Sequence, residues 1–212
     1  MRVWLVLLVS CAFLSIQQVQ AQLTLNFANL DHTAVNFAGG SFSFSSTNGY
    51  QFSITTVNNG VGDSVGLDGY VTPGGPFTIG AITISGPIQS APVTGTGTLH
   101  ITDNQATDLT GTIQWLDITT LGVGGVLDLN GTVNLTGLTY SGTNNDLSAL
   151  AAAGAASDVI TFQFTPAKTL TQLKNDGGST SYSGTIVVPE PGTVTLVGMG
   201  LLGLLAFCHR RK

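Results

Sequence analysis

Cysteine is nearly absent from this chain of 212 residues. Its two cysteines, Cys11 and Cys208, both lie in apolar segments at the termini, so the body between residues 22 and 188 has none. This excludes a disulfide framework and a cysteine-based metal site from the body. Export without disulfides is compatible with a bacterial exterior.

Charge is also scarce, and basic charge is almost missing from the body. Charged residues make up 8% of the chain. The body contains ten aspartates against Lys168 and Lys174, a net charge of −8 by that count, while the single glutamate and the other four bases lie in the terminal segments. An acidic surface repels phosphate backbones, so we expect no nucleic-acid partner. The low charge and the recurrent Ile, Val, Leu and Phe argue against disorder.

The N-terminus has the pattern of a secretory signal peptide. Arg2 supplies a positive start, residues 3–16 are uncharged and mostly apolar, and Val19 and Ala21 place small residues at positions −3 and −1 of a cleavage site. We therefore predict a signal peptide over residues 1–21, cleaved between Ala21 and Gln22. The alternative is an uncleaved N-terminal anchor.

The body alternates apolar and polar residues with a period of two, which predicts β-strands. Nine segments show this pattern: 23–28, 41–46, 50–57, 76–85, 97–102, 108–119, 125–140, 158–166 and 181–188. Many short strands with little helix indicate an all-β exported domain over residues 22–188, an antiparallel β-sandwich or a flattened barrel.

Local signals refine this prediction. Asn48-Gly49 and Asn59-Gly60 favour tight turns. Asn130-Gly131 predicts a turn or a bulge within a long strand, and the phase of alternation slips at Gly80, which indicates a bulge.

One Ala-rich segment departs from the strand pattern. We predict one short helix over residues 146–153, capped by Asn145, with Asp146 in its first turn and Gly154 at its end.

Candidate catalytic residues are few. Ser64 lies in a G-x-S-x-G match, but LDGYVTPGG follows it and cannot begin the helix that a nucleophile elbow needs. His100 sits between Leu99 and Ile101 and is expected on the solvent face of a strand, and His32 is expected in a turn. We therefore expect no enzyme, with a hydrolase using Ser64 or His100 as the weakest alternative.

Two binding chemistries remain open from composition. Asp103, Asn104 and Asp108, or Asp63 with Asp68, offer oxygen ligands for calcium, although no EF-hand spacing is present and such Asp residues also serve as turn formers. No other cofactor is expected. Aromatic side chains could form a sugar-stacking platform or belong to the core. These aromatics are Trp115, Tyr50, Tyr70, Tyr140 and Tyr182.

The C-terminal segment, residues 189–212, has three parts in order. Pro189 and Pro191 stop the preceding strand, and Glu190 between them is expected to stay in water. Residues 193–208 are uncharged and would span about 24 Å as a helix, which predicts a short transmembrane helix. His209 and three bases (Arg210, Arg211, Lys212) follow, and the positive-inside rule holds them in the cytoplasm.

This order resembles the PEP-CTERM sorting signal of exported proteins from Gram-negative bacteria. The resemblance rests on Val188-Pro189-Glu190-Pro191, the helix 193–208 and the bases Arg210, Arg211 and Lys212. It implies recognition of Pro189, Glu190 and Pro191, with the basic tail, by a membrane-bound exosortase in a host that makes extracellular polysaccharide. The alternative is a C-terminal anchor that is never processed.

The resemblance and the missing catalytic set lead to one functional expectation. We expect a precursor anchored in the inner membrane that is then displayed at the cell surface or outside the cell, as a structural or adhesive component of a biofilm or exopolysaccharide layer. The alternative is a carbohydrate-binding module, with or without calcium.

Overall fold

A computed structural model describes residues 22–105, 107–121 and 128–188, and these ranges form fourteen strands and two short helices. The strands are β1 (Thr24–Asn29), β2 (Val35–Ala38), β3 (Ser41–Phe44), β4 (Phe52–Asn58), β5 (Asp68–Thr72), β6 (Phe77–Ile79), β7 (Thr83–Ser85), β8 (Ile88–Thr94), β9 (Thr96–Thr102), β10 (Asp108–Leu121), β11 (Asp128–Thr139), β12 (Ala155–Gln163), β13 (Gly178–Thr180) and β14 (Tyr182–Val187). The helices are α1 (Asn145–Ala153) and α2 (Leu170–Asp176).

Eight of the strands close into an antiparallel barrel. Their order around the barrel is β11-β12-β14-β1-β4-β5-β9-β10, and β10 pairs back with β11 to complete the ring. Of the two predicted architectures the barrel is correct and the sandwich is wrong. Closure removes the unpaired edges that a sandwich would leave at its sides.

A smaller sheet packs against the barrel. Its order is β13-β2-β3-β6-β8, and β8 joins it to the barrel by pairing with residues 117–121 of β10. Phe42 and Phe44 of this sheet contact Trp115 of the barrel, with ring centroids 4.8 and 6.2 Å away. The aromatic side chains of sheet and barrel therefore form one continuous core.

The predicted helix exists as α1, with a one-residue correction at its start. Asn144, and not Asn145, is the N-cap, because its side chain accepts a hydrogen bond from the backbone N–H of Leu147. Gly154 ends the helix in the left-handed conformation, as predicted.

The second helix, α2, was not predicted. It begins with a capping box in which Thr169 and Gln172 each bond the other's backbone N–H.

Strand pairing decides the two predicted irregularities. The register between β8 and the β6–β7 segment places three residues, Gly80 to Ile82, opposite two, which confirms the extra residue at Gly80. The prediction of a turn or bulge at Asn130-Gly131 is wrong. β11 runs through this pair without a shift, and a Cβ at Gly131 would lie 2.4 Å from the ring of Trp115. Glycine is present there because the indole occupies its side-chain space.

The two ends of the described body meet at one end of the barrel. Thr24 pairs with Val187, and the Val188 N–H donates to the carbonyl of Leu23 at 3.0 Å. Within the described ranges no helix is long and apolar enough to cross a membrane. The predicted signal peptide and transmembrane helix 193–208 lie outside the described residues.

Candidate functional site

A polar cleft opens at the end of β1 that lies away from Val188. It has a volume of about 450 Å³, and we call it the polar cleft. Its lining combines the end of β1, the turn before β4 and the start of β5. The lining residues are Asn29, Leu30, Asp31, Thr47, Asn48, Tyr50 and Asp68.

A tight turn shapes one wall of the polar cleft. Asn48 and Gly49 both have positive φ, of 54° and 88°, and Thr47 pairs with Tyr50 across them. This confirms the turn predicted from the Asn-Gly pair. The turn holds Tyr50 at the border between the cleft and the outer surface of the barrel.

Three aromatic rings form a ridge leading away from the polar cleft. Tyr70 and His100 face each other across β5 and β9, with ring centroids 4.5 Å apart and planes parallel within 1°. Tyr50 meets Tyr70 edge-on at 6.1 Å. We call Tyr50, Tyr70 and His100 the aromatic ridge. The expectation that His100 faces outward is confirmed, although the ring is half-buried against Tyr70.

Asp108 terminates the aromatic ridge. Its Oδ2 lies 3.5 Å from His100 Nδ1 and accepts a hydrogen bond from the Tyr70 hydroxyl at 3.4 Å. Partial burial, followed by the negative charge of Asp108, raises the pKa of Tyr70 above its usual value. Tyr70 therefore stays a neutral hydrogen-bond donor at physiological pH.

The two lysines of the described body do not line the polar cleft, and both are engaged by backbone carbonyls. Lys168 donates to the carbonyl of Gly177, and Lys174 donates to those of Ile79 and Gly80. In the part of the chain that the structure describes, the side chains of Asp31 and Asp68 enter no hydrogen bond or ion pair. The cleft therefore presents uncompensated carboxylates to solvent.

Ser64 belongs to a structural network and not to a nucleophile elbow. Its side chain is fully buried, and its hydroxyl donates to Asn144 Oδ1 at 2.9 Å. The Asp146 carboxylate accepts from the backbone N–H groups of Val61, Gly62 and Ser64 at 2.7, 2.9 and 3.2 Å. The loop after β4 is thereby fastened to the first turn of α1.

Asp63 adds hydrogen bonds in the reverse sense: the acid belongs to the loop and the donors belong to the start of α1. Its carboxylate accepts from the backbone N–H groups of Asn145 and Asp146, at 2.8 and 3.2 Å, and from the Asn145 side chain. Partial burial raises the pKa of Asp63, but these hydrogen bonds outweigh it and leave the pKa below its usual value.

The calcium candidates do not gather into one site. Asp103 Oδ1 accepts from the backbone N–H groups of Gln105 and Thr107, and its Oδ2 accepts from the Tyr140 hydroxyl at 2.8 Å. Asn104 has a positive φ of 60° in the same turn, and Asp108 instead contacts the aromatic ridge. Over residues 22–105, 107–121 and 128–188, no group of three His, Cys, Asp or Glu side chains is placed to hold a metal.

The aromatic side chains divide between core and surface. Trp115 and Tyr182 are buried, and Tyr140 is used in the contact with Asp103, so these three do not form a platform. Tyr50 and Tyr70 remain on the outer surface with His100. A sugar-stacking surface is therefore restricted to the aromatic ridge.

Asp158 is a buried acid that the pattern-based predictions missed. It lies in register with Val133 and Ile186 on the inward face of the barrel and is 5% exposed. Asp158 and Trp115 both line a cavity of about 20 Å³. Asp158 Oδ1 and Trp115 Nε1 are buried and have no hydrogen-bond partner among the described residues. Burial raises the pKa of Asp158 well above its usual value. Its strand, AASDVITFQ, places the Asp on the same face as Ile160 and Phe162, a signal that alternation alone contains.

The sorting motif lies just past the last strand. The described residues do not include the predicted scissile residue Ala21 or the sorting residues Pro189, Glu190, Pro191, Arg210 and Arg211, whereas Gln22 is exposed at the start of the body.

Residues 187–212 match the family model for the PEP-CTERM protein-sorting motif. The chain carries a PEP-CTERM sorting signal. No curated protein and no solved structure matches this chain.

The PEP-CTERM signal has consequences for the export, anchoring and processing of the protein. It implies export, a membrane-anchored precursor and processing by an exosortase-type enzyme. The match begins at Val187, the last residue of β14, so the signal follows directly on the closed barrel.

Proposed function

We propose that the chain is a non-enzymatic protein whose barrel is displayed at the cell surface or in the extracellular matrix. There it serves a structural or adhesive role within a biofilm or exopolysaccharide layer. The observation that carries the proposal is the PEP-CTERM match over residues 187–212, adjoining a barrel with its own core.

Two features of the body support a role without catalysis. Ser64 is buried and its hydroxyl is engaged by Asn144, so it lacks the exposure and the general base that a nucleophile needs. His100 is stacked on Tyr70 and lies beside Asp108, with no nucleophilic side chain in that contact set.

Intact-mass spectrometry tests the sorting part of this proposal. Protein recovered from an exosortase-containing host is expected to begin at Gln22 and to end near Pro189-Glu190-Pro191. Protein from a host lacking the enzyme is expected to retain the tail to Lys212. Replacing Glu190 by Ala should leave the tail in place, whereas the control Asp176→Asn in the body should be processed normally. A full-length C-terminus in the exosortase-containing host contradicts the proposal.

A further inference from the structure

The barrel presents the polar cleft away from its point of attachment. The tail leaves the barrel at Val188, beside the start of β1, whereas the cleft is lined by Asn29, Leu30 and Asp31 at the other end of that strand. Five residue steps separate Thr24 from Asn29, a distance of about 17 Å along the strand. A barrel held to a surface through its tail would therefore turn the cleft outward.

The cleft contains the chemical groups that recognise a sugar. Asp31 and Asp68 are acceptors with no partner inside the described ranges, and Asn48 adds an amide that donates and accepts. Sugar hydroxyls donate to carboxylates, and the C–H face of a pyranose ring packs on an aromatic ring. Tyr50 lines the cleft and supplies such a ring.

The surface beside the cleft can hold more than one sugar unit. The aromatic ridge runs from Tyr50 through Tyr70 to His100, and His100 is in register with Thr110, whose hydroxyl lies 2.9 Å from that of Thr139. In the next row, four exposed threonines lie side by side on β5, β9, β10 and β11. These are Thr72, Thr98, Thr112 and Thr136. A chain of sugars leaving the cleft would meet aromatic rings and then hydroxyl groups.

Charge restricts which glycan fits. Asp31, Asp68 and Asp108 border the cleft and ridge, while both lysines of the described body are engaged elsewhere. A polymer with uronate, phosphate or sulfate groups would be repelled. A neutral glycan meets no such repulsion and can donate its hydroxyls to the carboxylates.

We propose that the polar cleft and the aromatic ridge bind a neutral polysaccharide and select against acidic ones. The proposal rests on the adhesive role put forward above and names its ligand class. Binding uses carboxylate–hydroxyl hydrogen bonds and stacking on Tyr50, so it needs no calcium.

A glycan array and calorimetry test this site. The full-length chain, kept in a detergent without a sugar headgroup, is applied to neutral glucan, mannan and galactan oligosaccharides and to polyuronate and sulfated oligosaccharides of equal length. We expect binding to at least one neutral series, no binding to the acidic series and no change with EDTA. Binding to none of the neutral probes, a preference for acidic ones or loss of binding in EDTA overturns the proposal.

Matched variants locate the binding. Tyr50→Ala is expected to weaken the best neutral ligand at least tenfold, and Asp68→Asn at least threefold. The controls Leu116→Ala and Asp117→Asn, at exposed positions of β10, should stay within twofold. Circular dichroism melts verify that each variant is folded. Unchanged affinity in folded Tyr50→Ala and Asp68→Asn overturns the site.

The result is separable from the sorting proposal. Tail removal is measured by mass in the host, whereas glycan binding is measured on the purified chain with its tail present. Processed protein that binds no neutral glycan removes the cleft proposal alone. An unprocessed tail with intact glycan binding removes the sorting proposal alone.

Discussion

Asp146 and Asp158 are almost equally hidden from solvent, at 1% and 5% exposed, but their surroundings are opposite. Asp146 lies at the first turn of α1 and accepts hydrogen bonds from three backbone N–H groups. Asp158 lies inside the barrel among apolar side chains, and its Oδ1 has no donor among the described residues. The number of donors, and not the degree of burial, separates a carboxylate that stabilises the fold from an acid that the fold keeps protonated.

Two further acids of the described body resemble Asp146 in their hydrogen bonding. Asp63 and Asp103 also accept backbone N–H hydrogen bonds, and both have a pKa below the usual value. Partial burial acts in the opposite direction on each, and the donors outweigh it. These two acids therefore stabilise the protein above the pKa of the unfolded chain, and this contribution is lost as pH falls through their folded values.

The largest expected effect comes from removing the Asp146 carboxylate. Asp146→Ala leaves the N–H groups of Val61, Gly62 and Ser64 without their acceptor; the Ser64 hydrogen bond is buried and the other two are partly buried. We expect a loss of about 4 kcal/mol in the free energy of unfolding, since each unsatisfied buried donor costs about 1–3 kcal/mol. Urea denaturation at pH 7 measures this loss. Asp117→Ala, at an exposed position, should change stability by less than about 0.5 kcal/mol; an equal effect of both variants contradicts the role of Asp146.

Replacing Asp158, the acid inside the barrel, should raise the free energy of unfolding, whereas replacing Asp146 lowers it. The raised pKa of Asp158 means that the folded state retains a proton that the unfolded chain releases above about pH 4. Stability is therefore lost as pH rises from about 4, by about 1.4 kcal/mol per pH unit while Asp158 stays protonated. Asp158→Asn removes this dependence, so its advantage over the original chain should grow as pH rises above about 4, for as long as Asp158 stays protonated in the folded barrel.

Chemical denaturation across pH 4–7 checks the Asp158 prediction. The informative quantity is the difference between Asp158→Asn and the original chain at each pH, because the other acids titrate equally in both. Asp117→Asn serves as the control and should run parallel to the original chain. A constant difference in unfolding free energy across this range would show that Asp158 is ionised in the folded barrel. It would then contradict the contrast between Asp158 and Asp146.

A smaller effect on stability is expected from Tyr140, whose side chain links Asp103 to the N-cap of α1. The Tyr140 hydroxyl donates to Asp103 and accepts from the Asn144 N–H at 3.0 Å. Tyr140→Phe removes both hydrogen bonds, and we expect a loss of about 2 kcal/mol at pH 7, at about 1 kcal/mol for each. The loss should shrink at low pH as Asp103 becomes protonated, and the lowered pKa of Asp103 places this change below the usual range of an aspartate.

Thermal and urea unfolding at pH 7 and pH 2.5 measure the Tyr140 effect. Tyr70→Phe is the matched control, because its hydroxyl makes a single long contact of 3.4 Å to Asp108 on the outer surface. It should cost less than about 0.5 kcal/mol. Equal losses of stability in Tyr140→Phe and Tyr70→Phe would show that the hydrogen bonds of Tyr140 add nothing beyond an ordinary surface contact.

The sequence predicts local features of this molecule better than distant ones. Alternation located most of the barrel strands, and Ala-rich composition with Gly154 located α1. The short strands β2, β5, β8 and β13 were missed because their alternation is brief or interrupted by Gly or Pro. The α2 helix was missed although Thr169 and Gln172 form a capping-box pattern before Leu173.

The candidate site depends on contacts that no local pattern contains. Asp31, Asn48 and Asp68 come together because β4 lies between β1 and β5 in the barrel, a pairing of strands distant in sequence. The Tyr70–His100 stack likewise follows from the register of β5 on β9. Asp158, in contrast, could be found from its strand alone, because its position in the alternation is that of a core residue.

The smallest expected effect concerns Ser64, which the sequence offered as a nucleophile. Its hydroxyl donates to Asn144 Oδ1, which also accepts from the Leu147 N–H, so Ser64→Ala removes one of two hydrogen bonds at that oxygen. We expect a loss of about 1 kcal/mol in urea denaturation. The exposed Ser85→Ala should cost less than about 0.5 kcal/mol. A serine-directed phosphonate probe should label neither the original chain nor the variant; labelling that disappears in Ser64→Ala would instead make this network an active site.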